Sequence, residues 1–205
     1  MRKNWLKFAA ALTIGAFIFT ACESEVTLTA PADATIDLGE EFDEKAGLIV
    51  DGADVEDVSV LWNPAFNNEL VDHYVGTYTV DGVSDQRNVY VRSNLLAGPY
   101  SVLDAVDGGG NLNYNVTVTQ SSQEFNRLLI DGFGDFNIQV YATINGSAIT
   151  VPLQTPTNWT GAESVQATGS YNGETKTLQS FTYTIKYLDG GEVITETGNA
   201  IYTKQ

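Results

Sequence analysis

The chain has 205 residues but only one cysteine, one histidine and one methionine, and 10 lysines and arginines against 26 acids. With Cys22 alone, no disulfide forms within the chain, so any fold must stand on its apolar cores. The lone histidine, His73, sits in Val71-Asp72-His73-Tyr74 with no nucleophile-elbow glycine pattern nearby, which argues against Ser-His-Asp catalysis. Zinc sites draw three or four ligands from His, Cys and carboxylates, and with one histidine and no free cysteine a zinc site is not expected. His73 therefore reads as a surface or strand-edge residue. A formal net charge of −16 repels phosphate backbones and excludes nucleic acid as a partner. Helical periodicity is scarce, and there is one long uncharged apolar run.

That run, Phe8–Phe19, follows Arg2, Lys3 and Lys7 and precedes the small residues Thr20 and Ala21. A basic start, a short apolar stretch and small residues before a cut site form a secretory signal peptide. The run is too short for a membrane span, which needs about 20 apolar residues. Phe19-Thr20-Ala21-Cys22 is similar to a bacterial lipobox, with phenylalanine where leucine is usual. The expectation is a signal peptide over 1–21, a lipidated tether over 22–25 with acyl chains on Cys22, and attachment to the outer membrane. Each buried methylene contributes about 0.8 kcal/mol, so several chains on one cysteine anchor stably. Losing three cations with the signal peptide leaves −19 on the mature chain.

The remainder reads as all-β. Period-two alternation marks Val26–Thr29, Val58–Trp62, Gly76–Val80 and Arg87–Arg92, the spacing of a small antiparallel sandwich. From residue 95 the pattern is denser. Strands are expected over Tyr100–Asp104, Leu112–Gln120, Arg127–Asp131, Phe136–Ile144, Ala148–Leu153, Val165–Tyr171, Thr177–Leu188 and Val193–Tyr202. Asn-Gly and Asp-Gly pairs between them are strong hairpin signals. Eight strands in such a meander close into an antiparallel, lipocalin-like barrel or form a half-barrel. Charge divides the chain at the same place: 23–94 carries 16 acids against three bases, and 95–205 carries 10 against four. Domains are thus expected over 26–94 and 95–205.

Ala34–Phe42 (ATIDLGEEF), Gly47–Val50 and Gly76–Val80 (GTYTV) give 26–94 a resemblance to a bacterial immunoglobulin-like domain found in surface lipoproteins of the Bacteroidota. The family's hairpin after GTYTV is longer than Asp81–Gln86. Leu95–Gln205, with its LAGPYSV opening and AIYTKQ close, resembles the β-domain that follows such a module. The resemblance implies a non-catalytic envelope lipoprotein, either a glycan-binding accessory of polysaccharide uptake or a structural or adhesion protein with protein partners. It brings no catalytic residues.

Candidate ligand contacts come from the aromatics. Trp159 lies in the loop-like stretch Gln154–Gly161 beside Asn158, where it either meets a ligand or lids the barrel; Trp62 precedes Asn63-Pro64. No cofactor is expected. Asp51, Asp54, Glu56 and Asp57 make a weak calcium candidate, because four carboxylates fall within seven residues without EF-hand spacing.

Overall fold

The computed structural model describes residues 25–156 and 158–205. The expected signal peptide and the lipidation of Cys22 lie outside the described residues. Everything described is β-structure joined by turns and three short 3-10 segments.

The first part holds two sheets. β2 (Ala34–Asp37), β6 (Val83–Arg92), β5 (His73–Val80) and β4 (Ser59–Asn63) form one, in the order β2-β6-β5-β4. β1 (Thr27–Thr29) and β3 (Ile49–Asp51) form the other. Strand β5 alternates without a break, so Tyr74, Gly76, Tyr78 and Val80 all point to one face. Val58, Tyr78 and Val80 meet Leu28 and Val50 of the small sheet, which makes the expected sandwich, except that β2 runs parallel to β6 rather than antiparallel. The Asp81-Gly82 turn takes positive φ at both residues and pairs Val80 with Val83. Strand β6 therefore begins at Val83 rather than at the expected Arg87, because a two-residue turn of this kind matches strand twist and wastes no residues.

The second part is an eight-stranded meander closed on itself. β7 (Gly98–Val106), β8 (Gly110–Gln120), β9 (Arg127–Asp131), β10 (Gln139–Asn145), β11 (Ala148–Gln154), β12 (Ala162–Asn172), β13 (Thr177–Asp189) and β14 (Glu192–Lys204) pair in sequence, and β14 returns to β7. The half-barrel alternative is thereby corrected: seven β14–β7 register pairs, from Gly198↔Val106 to Lys204↔Tyr100, leave no free edge. One strand starts later than expected. Positive φ at Gly132, Gly134 and Asp135 folds the chain into a turn, which holds Phe136 outside β10.

Alternate residues fill the barrel. Tyr100, Val102, Val116, Ile130, Val140, Ile149, Val165, Phe181, Tyr183 and Tyr202 all point inward and are buried. Two glycines make room for these rings: a Cβ on Gly169 would stand 2.6 Å from Phe181, and one on Gly198 would stand 2.5 Å from the Tyr183 hydroxyl. The barrel is a packed core rather than a ligand cup.

The core does not stop at residue 94. Ile36, Leu38, Val71, Tyr74, Val89 and Val91 of the sandwich belong to the same buried cluster as the barrel residues. Val71 donates its N–H to the Tyr171 hydroxyl at 2.8 Å, and that hydroxyl donates to the Gly146 carbonyl at 2.7 Å. Gly173 backs onto the Glu69 carbonyl so closely that a Cβ would lie 1.9 Å away. The sandwich thus seals the barrel end that carries the β8–β9, β10–β11 and β12–β13 connections.

Candidate functional site

With one end sealed, the opposite end is the free one. It carries the β7–β8, β9–β10, β11–β12 and β13–β14 connections. Phe133, from the turn before β10, plugs it, meeting Phe181 and Tyr183 edge-on with ring centroids 5.9 Å from each. Above Phe133, Phe136 stacks on Trp159 at 4.8 Å, and Tyr187 closes the cluster at 5.2 and 5.6 Å. Trp159 is therefore the lid, pressed between neighbours and packed over Gly161, whose added Cβ would touch the indole at 3.4 Å. Asn158 is engaged too. Its side-chain oxygen accepts the Gln139 N–H and its amide donates to the Asn137 carbonyl, both at 3.0 Å, extending the β10 edge.

Trp62 lies far from this mouth. It packs against Phe42, Phe66 and Tyr78, covers Gly76, and donates its indole N–H to Glu44 at 2.9 Å. The structure does not bring Trp62 together with Trp159 and Asn158. The carboxylates of the calcium candidate are not brought together: among the described residues no three His, Cys, Asp or Glu side chains gather closely enough to hold a metal ion. Asp51 ends β3, and Val55–Asp57 wind into a 3-10 turn that spreads the carboxylates into solvent. His73 stacks on Tyr90 at 4.6 Å, and its Nε2 shares a 2.8 Å hydrogen bond with Asn88.

Beneath the lid lies a polar group that the sequence analysis did not single out. Asp104 on β7 is fully buried. One carboxylate oxygen, Oδ2, accepts hydrogen bonds from the Tyr114 and Tyr183 hydroxyls at 2.9 Å each. The other, Oδ1, has no partner, and neither does the buried Tyr202 hydroxyl. Buried polar atoms are rarely left so, because each costs about 1–3 kcal/mol. Glu196 on β14 stands at the rim, with Oε1 3.4 Å from the Tyr183 oxygen.

The electrostatics follow from burial and like charge. Loss of water pushes the Tyr114, Tyr183 and Tyr202 hydroxyls above their ordinary range, and the Asp104 carboxylate adds to each. Burial also raises Glu196, with the charges of Asp104 and Asp135 pushing the same way against the Tyr183 hydrogen bond. Tyr183 has one hydrogen, and the shorter contact gives it to Asp104.

The strand pattern contained a clue to this group. Asp104 occupies the inward slot in Tyr100-Ser-Val-Leu-Asp104, and Glu196 does so in Ile194-Thr-Glu196-Thr-Gly198. A carboxylate at a core position of a strand is the signal.

No protein-family model and no curated protein matches the chain in sequence.

Proposed function

We propose that this chain is a non-catalytic lipoprotein of the cell envelope, anchored to the outer membrane through Cys22, which presents its barrel to protein partners. The observation that carries the reading is the filled barrel: with side chains throughout the interior and Phe133 under the aromatic lid, recognition falls to the outer surface. The sealed end faces the sandwich, so the free mouth is the end held away from the tether. A photo-crosslinking residue placed at Leu188, 44% exposed on the mouth hairpin, or at Leu61, 74% exposed on edge strand β4, tests it in intact cells of the native host. A discrete protein adduct at either site is expected; no adduct at both removes the reading.

A second reading, a glycan-binding accessory of polysaccharide uptake, draws support from a groove on the outside of the barrel. Thr150, Pro152, Gln166, Thr168, Thr182 and Thr184 line it, with a volume of ≈ 330 Å³. Thr150, Thr168 and Thr182 sit side by side on adjacent strands, and the register slips between Val151 and Gln154. Uncharged hydroxyls and an amide suit a neutral polyol. Calorimetric titration of the folded protein against a glycan panel decides this reading, and no heat across the panel ends it.

A further inference from the structure

The ladder between β10 and β11 is the shortest in the barrel: it holds Thr143↔Thr150, Ile144↔Ile149 and Asn145↔Ala148, and then stops. In an antiparallel pair, alternate residues turn both N–H and C=O toward the same neighbour. On β10, Thr143 and Asn145 face β11, and by the same alternation so do Tyr141 and Gln139. Continued register would set Tyr141 opposite Pro152, which has no N–H to give. β11 also bulges there, with one extra residue between the pairs Val151↔Ala167 and Gln154↔Val165. The β10 edge at Gln139 and Tyr141 therefore has no strand beside it.

Side chains stand in for the missing strand. Gln154 accepts the Tyr141 N–H at Oε1, 3.1 Å away, and donates from Nε2 to the Tyr141 carbonyl at 2.9 Å. That two-bond exchange is the one a residue of an antiparallel partner strand makes. Asn158 accepts the Gln139 N–H at 3.0 Å. A carboxamide is the side-chain counterpart of a peptide group, so the groups already seated on this edge show which chemistry fits it. A side chain reaching across also sets the two backbones further apart than the about 4.8 Å between paired strands. On the outer wall the space forms a cleft of ≈ 270 Å³, bordered by Leu129, Val140, Tyr141 and Pro156. Among the described residues no charged side chain lines it.

We propose that the β10 edge at Gln139 and Tyr141 accepts an extended, uncharged segment of a partner polypeptide, which adds antiparallel to β10 in place of the Gln154 and Asn158 amides. Main-chain hydrogen bonds to Tyr141 and Gln139 hold the segment, and its apolar side chains enter the cleft, as when a strand is added to a sheet edge. The inference rests on the protein-binding reading above and names the face and the form of the partner. Gln154 is then both plug and competitor. It keeps the edge from pairing with unrelated chains, and the need to displace it lowers the affinity of the segment.

The test uses the full lipoprotein in detergent and a fluorescein-labelled peptide of three Thr-Val repeats between terminal lysines, read by anisotropy at physiological salt. Its control is the same peptide with every Thr and Val N-methylated, which keeps side chains and charges and removes the backbone donors. Gln154→Ala takes two competing hydrogen bonds off Tyr141, each worth about a factor of five. The variant is expected to bind the plain peptide about twentyfold more tightly than the parent does, and the methylated peptide not at all. Hydrogen exchange at the Gln139 and Tyr141 amides should slow when the plain peptide is in excess. No saturable binding to the variant, equal affinity of variant and parent, equal binding of both peptides, or unchanged exchange at those two amides overturns the proposal. Self-association of the variant without peptide, seen by sedimentation, would give the edge to a second copy and overturns it too. Thermal melts show whether the variant is folded. Should it not be, Gln154→Glu keeps the acceptor for the Tyr141 N–H, loses the donor and is expected to tighten binding about fivefold. The peptide and the crosslinking experiments fail separately. A silent peptide with an adduct at Leu61 or Leu188 removes the β10 edge and keeps the protein-binding reading, whereas silence at both crosslinking sites removes that reading.

Discussion

Replacing Phe181 with alanine is the most direct way to weigh the filled barrel. The ring is completely buried, meets Phe133 edge-on at 5.9 Å and Tyr202 at 5.0 Å, and lies over Gly169, which has no side chain to spread into the gap. Phe181→Ala removes a benzyl group whose neighbours are held by a closed ring of hydrogen bonds, so collapse of the site is limited. Buried Phe→Ala changes cost about 3–5 kcal/mol. For a folded unit of this size each kcal/mol lowers the melting temperature by about 2–4 °C, so a fall of about 6–20 °C is expected by differential scanning calorimetry. The cavity left behind is apolar and should stay dry, so benzene should raise the melting temperature of the variant and leave the parent unchanged. A drop of under about 2 °C, or a parent protein already stabilised by benzene, would show that the interior is loose and that recognition inside the barrel was wrongly set aside.

Other consequences follow from the same structure. Glu196→Gln should stabilise the protein at neutral pH: a folded-state pKa pushed up by burial means stability is greatest below the unfolded value near 4.5 and is lost as pH rises through the folded one. Melts of parent and variant from pH 4 to 8 should converge at the acid end, and a gap that widens toward acid would contradict the sign. Tyr171→Phe removes the hydroxyl that joins Val71 to Gly146 and should cost about 1–3 kcal/mol by chemical denaturation. Because sandwich and barrel share one core, parent and variant alike should unfold in a single transition, and two separate transitions would refute the shared core. Trp159→Ala should cost about 2 kcal/mol, less than a full core truncation because the indole is only partly buried. If loss of Trp159 abolished glycan binding while leaving the melting temperature unchanged, the lid assignment would be wrong. Cys22→Ser should release the protein from membrane fractions, as the proposed lipid anchor requires, and a variant that stays with the membrane would contradict that anchor.

The fold was largely legible because alternation is a local property. All eight barrel strands can be read from period two, with Asn-Gly or Asp-Gly pairs at the ends of β7, β9, β10, β12 and β13, and the structure shifts most of their limits by a few residues only. Closure was not legible, since it depends on β14 finding β7 about a hundred residues away. The shared core was hidden for the same reason: nothing local in Val71 says that its N–H will meet Tyr171. The site was the least legible part. Trp159 and Asn158 draw attention as residues of an irregular stretch and Trp62 as a tryptophan at the end of a strand, and the structure shows each of them packed or hydrogen-bonded against a loop. Asp104 gives only its inward slot in the alternation as a clue, because it closes the expected strand Tyr100–Asp104 and looks solvated until the neighbouring strands bring Tyr114, Tyr183 and Tyr202 around it.

Xenon binding to crystals of the unaltered protein tests the solid interior without any substitution. Bound under pressure, the gas occupies apolar voids and reports them as discrete density. No site is expected inside the ring of β7 to β14. Ordered xenon among Tyr100, Phe181 and Tyr202 would contradict the account, and would make the barrel a container rather than a pedestal.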